Sequence, residues 1–249
     1  SVEYIPANLC REMENLSSVV IPNSVTEIGE SAFEGCSSLI SITIPNSVAK
    51  IGEYAFRNCS SLSSIILSHI PPQTKVLTCD YKKCALYILK GTKQIYLDHA
   101  EWGKFNNIVE IDGISGNNIV YNFENNGTLS LSGYGAMSDD WCLNNKSELK
   151  NLSIGNDITY IGSHAFENSR RLRFVSLGIA IEEIGISAFA YCENILSMTI
   201  TSKLPPIVAT NALDGVVRTT EIRVPKDSIH YYKAARVWCE FTNYVAIEE

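Results

Sequence analysis

Apolar residues recur along the chain at a fixed interval. The block Ile21–Val25, with the sequence IPNSV, returns unchanged at Ile44–Val48, 23 residues later. The same displacement relates the dipeptides Ile28-Gly29, Ala32-Phe33, Ile51-Gly52 and Ala55-Phe56, and later Ile161-Gly162, Ala165-Phe166, Ile184-Gly185 and Ala188-Phe189. A fixed period of roughly 20 to 50 residues is typical of repeat architectures. The pattern therefore predicts a stack of short, similar units.

A six-residue unit of the form L-x-x-I-x-I recurs with the same period. It occurs at Leu16–Ile21, Leu39–Ile44, Leu62–Leu67, Leu149–Ile154 and Leu172–Leu177, with weaker copies at Ile195–Ile200 and Thr219–Val224. Its last residues alternate apolar and polar, which is typical of a strand with one buried face. One unit cannot cover its own apolar face, whereas stacked units bury a continuous ladder. The sequence therefore predicts a repeat solenoid of the α+β class with mainly β content.

The segment after each predicted strand carries a glycine and an Ala-Phe pair. Gly29 and Gly52 stand where each coil has to reverse direction, so we expect turns at these positions. We interpret the Ala-Phe pair as one helical or 3₁₀ turn that places its aromatic ring in the core. Each 23-residue unit is then a strand, a turn and a short return segment.

A longer duplication is superimposed on the repeat. Ile88–Ile111 aligns without gaps with Val224–Ile247, 136 residues later, and both copies hold Tyr, Trp and Phe at matching positions. An amphipathic helix with an aromatic face would cover the open end of a stack. We therefore expect a C-terminal helical cap at 86–111 and a second one at 222–247.

A cap in the middle of the chain implies two short modules. We expect the first at 1–111, a linker with a β-hairpin at 112–148, and the second at 149–249. Ile119–Phe123 and Thr128–Ser132 alternate around Asn126-Gly127, and Asn-Gly between such segments favours a two-residue hairpin turn. We interpret the hairpin as the N-terminal cover of the second module.

Charge and length narrow the possible functions. The chain has 20 Lys+Arg against 27 Asp+Glu, a net charge of -7, and no dense basic run, so nucleic acid is not an expected partner. No apolar stretch reaches the roughly 18 residues of a spanning helix, so no transmembrane segment is expected. The chain opens without a secretory signal, yet Ile5 is already in phase with Ile28. We therefore expect the natural polypeptide to extend upstream.

The sequence offers no constellation for catalysis or metal binding. It holds no G-x-S-x-G, H-E-x-x-H or P-loop motif. The histidines are scattered, at His69, His99, His164 and His230. The acidic pairs Asp139-Asp140 and Glu182-Glu183 lack the spacing of a calcium loop, and we interpret them as solvated turns. We expect no enzymatic activity and no cofactor.

Cysteine spacing favours buried thiols over a disulfide framework. Cys36, Cys59 and Cys192 occupy one repeat position, which indicates a ladder of small buried residues, with a Cys36–Cys59 bridge as the less favoured alternative. Cys79 and Cys84 lack the C-x₂-C spacing typical of zinc, and a local disulfide between them stays open. We expect the remaining cysteines to be free: Cys10, Cys142 and Cys239.

The repeat resembles a known family. The pattern L-x-x-I-x-I-P-x-S-V-x-x-I-G-x-x-A-F-x-x-C, complete at Leu39–Cys59, is similar to the BspA-type leucine-rich repeat of bacterial surface and secreted proteins. The match is degraded at Leu149–Cys192, where Ser169 stands in place of the repeat cysteine. The resemblance implies a structural motif without catalytic residues, on a secreted or surface-anchored protein associated with adhesion.

Outward positions of the predicted strands form the candidate binding surface. The candidate residues are Ser41, Thr43, Ser64 and Ile66 in the first module, and Lys150, Asn151, Ser153, Arg173, Phe174, Ser176 and Thr199 in the second. Most are small, hydroxylated or apolar, which suits a flat hydrogen-bonding partner. Phe174 beside Arg173 is typical of an interface anchor, and the cations near it favour a partner with acidic groups.

Three hypotheses for the function follow. The first is a non-enzymatic, exported bacterial recognition or adhesion protein that binds a protein partner, such as host matrix or a cell surface, through its sheet face. The second is a glycan-capture accessory protein, which predicts exposed aromatic platforms. The third is a structural repeat domain of a larger protein. The oligomeric state and the ligand stay open.

Overall fold

A computed structural model describes residues 2–67, 70–116, 118–141 and 143–247. The chain divides into two compact units, Ser1–Asn118 (unit 1) and Ile119–Glu249 (unit 2). Each unit has a hydrophobic core of its own. His69 and Cys142, named above, lie outside the described residues.

Unit 1 is a stack of parallel coils. Its strands are β1 (Tyr4–Ile5), β2 (Glu27–Ile28), β3 (Ser41–Ile44), β4 (Lys50–Ile51), β5 (Ser64–Leu67), β6 (Ala85–Leu89), β7 (Asn107–Ile111) and β8 (Gly113–Ser115). One parallel sheet has the order β1-β2-β4 and another the order β3-β5-β6-β7. The register pairs Ile42 with Ile65, one repeat apart. The predicted solenoid with mainly β content is therefore confirmed.

Unit 2 repeats this architecture behind an antiparallel strand. Its strands are β9 (Ile119–Phe123), β10 (Thr128–Ala136), β11 (Asn151–Ile154), β12 (Asp157–Ile161), β13 (Phe174–Leu177), β14 (Glu183–Ile184), β15 (Ser197–Ile200), β16 (Ile207–Val208), β17 (Glu221–Pro225) and β18 (Asn243–Ile247). The parallel order is β16-β14-β12-β10-β11-β13-β15-β17-β18, and β9 pairs antiparallel with β10. β10 pairs with both β11 and β12, because Leu129 lies opposite Leu152 and Tyr134 lies opposite Asp157.

The first predicted strand of unit 1, Leu16–Ile21, does not form. Residues 16–22 have no regular secondary structure, although Ile21 is buried in the core. β1 nevertheless pairs in register with β2, with Ile5 opposite Ile28. The coil at the start of the chain is therefore stacked on the next one through the pairing of β1 with β2.

Phenylalanine side chains stack between coils in both units. The ring centroids of Phe33 and Phe56 are 5.8 Å apart, and those of Phe166 and Phe189 are 5.3 Å apart. The surrounding segments are turns and contain none of the expected helix or 3₁₀ helix. Left-handed residues explain this difference, since Ser31 has a φ of 52° just before the Ala-Phe pair. A residue in that conformation ends helical geometry.

Left-handed residues recur at two equivalent positions in successive coils of each unit. In unit 1 they are Asn8, Ser31 and Tyr54, then Glu12, Gly35 and Asn58; in unit 2 they are His164, Ser187 and Asn211, then Asn168, Tyr191 and Gly215. The coils therefore reverse direction at these residues. The glycines expected to make the turns serve another purpose, because a Cβ on Gly52 would lie 2.4 Å from Glu30 N.

Near its end, each unit has a short helix and a 3₁₀ turn with a buried tryptophan, and we call this segment its cap. Helices α1 (Lys93–Leu97) and α2 (Ile229–Ala234) precede the 3₁₀ turns Trp102–Lys104 and Trp238–Glu240. Trp102 Nε1 donates to Pro72 O at 2.9 Å, and Trp238 Nε1 donates to Pro206 O at 2.8 Å. The terminal strands β7 and β18 continue the parallel sheets beside the caps.

The turn between β9 and β10 is longer than the two-residue turn expected there. Glu124 N donates to Thr128 O at 2.8 Å, and Gly127 N donates to Glu124 O at 2.9 Å. Gly127 has a φ of 87°, and a Cβ there would lie 2.5 Å from Glu148 O. Gly127 is therefore required both by the turn and by the chain that packs beside it.

Candidate interaction surface

The parallel register of unit 2 aligns outward-facing side chains in two columns. The first column contains Thr128, Asn151, Phe174, Ser197, Glu221 and Asn243, and the second contains Ser130, Ser153, Ser176, Thr199, Arg223 and Val245. Between the columns, Leu152 and Val175 point inward and are buried. This alternation fixes which side chains face outward. We call the two columns, with Lys150 and Arg173 beside them, the unit 2 sheet face.

The second column presents hydroxyl groups on successive strands. Ser153 and Ser176 are exposed, and Thr199 is half-buried. Each hydroxyl can donate and accept a hydrogen bond, and neighbouring strands lie about 4.8 Å apart. In the first column, Asn151 Nδ2 donates to Thr128 Oγ1 at 3.1 Å. The face therefore offers neutral hydrogen-bonding groups at a regular spacing.

Two cations border these columns on adjacent coils. Arg173 N donates to Lys150 O at 2.8 Å, so the two residues are neighbours in the stack, and both are exposed. Neither side chain forms an ion pair with a carboxylate of residues 118–141 or 143–247. Arg171, by contrast, lies 2.9 Å from Glu148. Lys150 and Arg173 are therefore both left for a partner.

Phe174 places an exposed aromatic ring beside these cations. The residue is 49% exposed, and its partners in the register, Asn151 and Ser197, are smaller and polar. The buried Val175 next to it keeps the strand oriented with Phe174 outward. An exposed ring flanked by a cation is typical of the anchors that dominate protein interfaces.

The face continues into a hollow near the C-terminal end of the sheet. The hollow has a volume of ≈ 570 Å³ and is lined by Thr199, Arg223, Val245, Ala246 and Ile247. Arg223 Nε lies 3.4 Å from Glu221 Oε1. Arg223 is missing from the residues singled out in the sequence. The weak strand copy at Thr219–Val224 was the signal for it, because its register places Arg223 beside Thr199.

The corresponding face of unit 1 is largely covered, which corrects part of the prediction. Ser41 and Ile66, expected to point toward a partner, are each 2% exposed, while Thr43 and Ser64 are half-buried. Ile114, from the chain that follows the first cap, lines the same hollow as Thr43. Ser41 and Ile66 are therefore not available as contact residues.

The cysteine ladder is present, and its thiols are protonated. Cys59 Sγ donates to Phe33 O at 3.0 Å and Cys192 Sγ donates to Phe166 O at 3.1 Å, so each thiol ties its coil to the preceding one. Burial raises the pKa of both thiols to about 12. A protonated thiol is a poor nucleophile.

All the cysteines that the structure describes are free. The less favoured Cys36–Cys59 bridge is therefore absent, since Cys36 Sγ instead donates to Cys10 O at 3.1 Å. The side chains of Cys79 and Cys84 hydrogen-bond to each other, and this contact, together with burial, raises the pKa of Cys79.

The polar residues considered for catalysis or metal binding have structural contacts. Asp139 Oδ1 accepts hydrogen bonds from Ser163 N and Tyr160 Oη, each at 2.7 Å, which hold the pKa of Asp139 below its usual value. His99 Nδ1 accepts the backbone N–H of Glu101 at 3.2 Å. Among the described residues, no three or more His, Cys, Asp or Glu side chains form a group that could hold a metal ion.

A family model agrees with the repeat seen in the structure. The model of the BspA type leucine rich repeat region matches residues 1–85 and 114–239, in 6 copies. The chain belongs to this family. BspA type repeat proteins are typically bacterial surface or secreted proteins with adhesion-related roles, and their repeats are protein-interaction scaffolds. None of the helices in the described part of this BspA type chain has the length and apolarity needed to cross a membrane.

Solved bacterial structures resemble the BspA type chain at low sequence identity. A leucine-rich repeat protein from Bacteroides ovatus ATCC 8483 is 18% identical, with a TM-score of 0.34, over 100% of this chain and 76% of that chain. A leucine rich cell surface protein from Faecalibacterium prausnitzii A2-165 is 19% identical, with a TM-score of 0.31, over 98% and 69%. The pneumococcal vaccine antigen PcpA is 14% identical, with a TM-score of 0.24, over 91% and 72%. No curated protein matches the chain.

Proposed function

We propose that the protein is a non-enzymatic recognition module that binds an acidic protein partner through the unit 2 sheet face. The observation that carries this proposal is the placement of Phe174 beside Arg173 and Lys150, two exposed cations without a carboxylate partner in the described part of unit 2. An exposed aromatic ring that becomes buried when a partner binds supplies binding energy at the interface. Neighbouring charges accelerate and orient the encounter.

The family supports an exported, adhesion-related role for this module. BspA type repeats occur typically on bacterial surface or secreted proteins. We propose that this chain acts outside the cell, and that its partner is a protein of the host matrix or of another cell surface. The hydroxyl groups of Ser153 and Ser176 would add hydrogen bonds around the aromatic anchor.

A protein partner is favoured over a glycan at this face. Glycan capture predicts several exposed aromatic rings in a row, on which sugar rings stack. In the two columns of the unit 2 sheet face, the aromatic position is Phe174, and its neighbours in the register are Asn151 and Ser197. One anchor surrounded by small polar groups is the arrangement expected for a protein interface.

Binding of the purified chain to immobilised host matrix proteins and mucin, at two salt concentrations, tests the proposal. We expect a matrix protein to bind and Phe174→Ala to weaken that binding about thirtyfold, or about 2 kcal/mol. Arg173→Glu should weaken binding more at low than at high salt, because salt screens exposed charges. Tyr191→Ala is the matched control, since Tyr191 is 50% exposed but lies on a turn.

Two outcomes would contradict the proposal. The first is that none of the matrix proteins binds the wild-type chain. The second is that Phe174→Ala and Arg173→Glu bind as tightly as the Tyr191→Ala control.

A further inference from the structure

The two IPNSV blocks form identical turns on adjacent coils of unit 1. Val25 N donates to Pro22 O and Val48 N donates to Pro45 O, both at 3.0 Å. The amide side chains of Asn23 and Asn46, one repeat apart, are therefore presented at equivalent positions of neighbouring coils. Unit 2 lacks this pair, because Gly155-Asn156 and Gly178-Ile179 replace the Pro-Asn dipeptides.

These turns border a hollow in unit 1 that has the size of a small-molecule site. Its volume is ≈ 430 Å³, and its lining residues are Val19, Val20, Ile21, Asn23, Thr43, Pro45, Asn46, Ser47, Ile114 and Gly116. Small-molecule sites are typically about 300 to 1,000 Å³, with apolar walls and a few polar groups. Ile114 and Gly116 come from the chain that follows the first cap, so the hollow is assembled from distant segments.

Two hydroxyl groups at this hollow are left without a hydrogen bond. Thr43 Oγ1 and Ser47 Oγ are shielded from solvent and have no partner in the part of the chain that the structure describes. A buried polar group without a partner destabilises the folded chain. Both residues line the hollow, and rotation about the Cα–Cβ bond is the movement that would bring either hydroxyl to a ligand there.

The lining also restricts the charge of a ligand. None of the lining residues is Lys, Arg, His, Asp or Glu. A charged group placed there would lose its hydration without gaining a counter-ion. Aliphatic side chains such as Val20 and Ile114 instead suit a methyl group, while the amides of Asn23 and Asn46 suit an amide or hydroxyl groups.

We propose that this hollow binds a neutral sugar that carries an acetamido group, an N-acetylhexosamine residue. The acetamido methyl packs against Val20 and Ile114, and the sugar hydroxyls bond to Thr43, Ser47 and the asparagine side chains. The site is independent of the unit 2 sheet face, so the proposed protein recognition and this sugar recognition stand or fall separately.

Titration of the purified full chain with N-acetylglucosamine and N-acetylgalactosamine, followed by NMR, tests the proposal. We expect at least one of them to bind at millimolar concentration, and glucose and glucuronate to bind more weakly. Thr43→Val and Ser47→Ala should each weaken binding roughly threefold to tenfold, since each removes one neutral hydrogen bond. Ser153→Ala, on the unit 2 sheet face, should bind the sugar as the wild type does.

The two test variants are chosen so that loss of binding is not loss of folding. Each removes an oxygen that has no partner in the free protein, so urea unfolding should show equal or greater stability than in the wild type. The proposal is overturned if neither acetamido sugar binds, if both variants bind like the wild type, or if glucuronate binds as tightly as the acetamido sugars.

Discussion

Ser169 stands at the ladder position that cysteine occupies in three other coils, at Cys36, Cys59 and Cys192. It is 0% exposed, and its Oγ has no hydrogen-bond partner among the described residues. In the next coil, Cys192 Sγ donates to Phe166 O at 3.1 Å. The bond from carbon to oxygen is shorter than that from carbon to sulfur, and a hydroxyl is more costly to bury than a thiol. Ser169 is therefore a weak point of the unit 2 core.

Replacing Ser169 by cysteine should restore the ladder. We expect Ser169→Cys to raise the free energy of unfolding by about 1 kcal/mol, because a buried hydroxyl without a partner is removed. Urea denaturation under reducing conditions measures this. Ser153→Cys, at an exposed position of the same unit, is the control and should leave the stability unchanged. A lower stability for Ser169→Cys would contradict this account.

The buried thiols predict a distinct alkaline behaviour. Cys59 and Cys192 keep their protons in the folded chain up to a pKa of about 12, whereas the ordinary value is 9.0. Between these values the folded state binds more protons than the unfolded state. Their contribution to stability is therefore complete below pH 9.0 and is lost as the pH rises toward about 12.

Thiol labelling at pH 8 reports the same burial directly. We expect Cys239, which is exposed, to react first with iodoacetamide, and Cys59 and Cys192 to react only after unfolding, because only the thiolate is nucleophilic. Mass spectrometry of the digested protein locates the label. Rapid labelling of Cys192 in the folded protein would contradict the structure.

At the scale of the element, the close approach between coils depends on glycines without a side chain. A Cβ on Gly52 would lie 2.4 Å from Glu30 N, whereas a Cβ on Gly91 would have no atom within 4 Å. Gly91 has a φ of 82°, so glycine is needed there for the left-handed backbone conformation. At Gly52, glycine is needed because the neighbouring coil leaves no room for a side chain.

Alanine substitutions should separate these two requirements. We expect Gly52→Ala to destabilise unit 1 by about 3 kcal/mol or more, since backbone of the neighbouring coil has to move. Gly91→Ala should cost only about 1 to 2 kcal/mol, the strain of a left-handed alanine. Chemical denaturation of both variants gives the comparison. Equal costs would show that coil spacing does not depend on Gly52.

Strand periodicity was readable in the sequence because each element is local and repeated. The inward positions of the strands, such as Ile42 and Ile65, follow from alternation alone. The left-handed conformation of Tyr54 was not readable, since tyrosine has no preference for it. The burial of Ser41 and Ile66 was also missed. Strand alternation alone predicts both side chains to point outward, and no local pattern reports which outward positions the rest of the fold covers.

At the scale of the whole molecule, the two units have separate cores. The buried residues of the unit 1 core end at Ile108, and those of the unit 2 core begin at Ile119. In a solenoid, each coil is stabilised mainly by its neighbours. A defect in one cap should therefore spread through the coils of its own unit.

Hydrogen exchange should show this restriction. Trp102→Phe removes the donor to Pro72 O and leaves that carbonyl unpaired, at a cost of about 2 to 3 kcal/mol. We expect faster amide exchange in residues 2–116 and unchanged exchange in residues 143–247, measured by mass spectrometry. Trp238→Phe should produce the reverse pattern. Equal acceleration in both units after either substitution would contradict two separate cores.

The hydrogen bonds of the cap tryptophans also determine when each unit can close during synthesis of the chain. Trp102 reaches back 30 residues to Pro72, and Trp238 reaches back 32 residues to Pro206. The tryptophan that forms the closing hydrogen bond of each unit is therefore synthesised near the end of that unit. All cap residues of unit 1 are synthesised before unit 2 has left the exit tunnel. Unit 1 can therefore fold first, and its coils do not compete with those of unit 2 for the same partners.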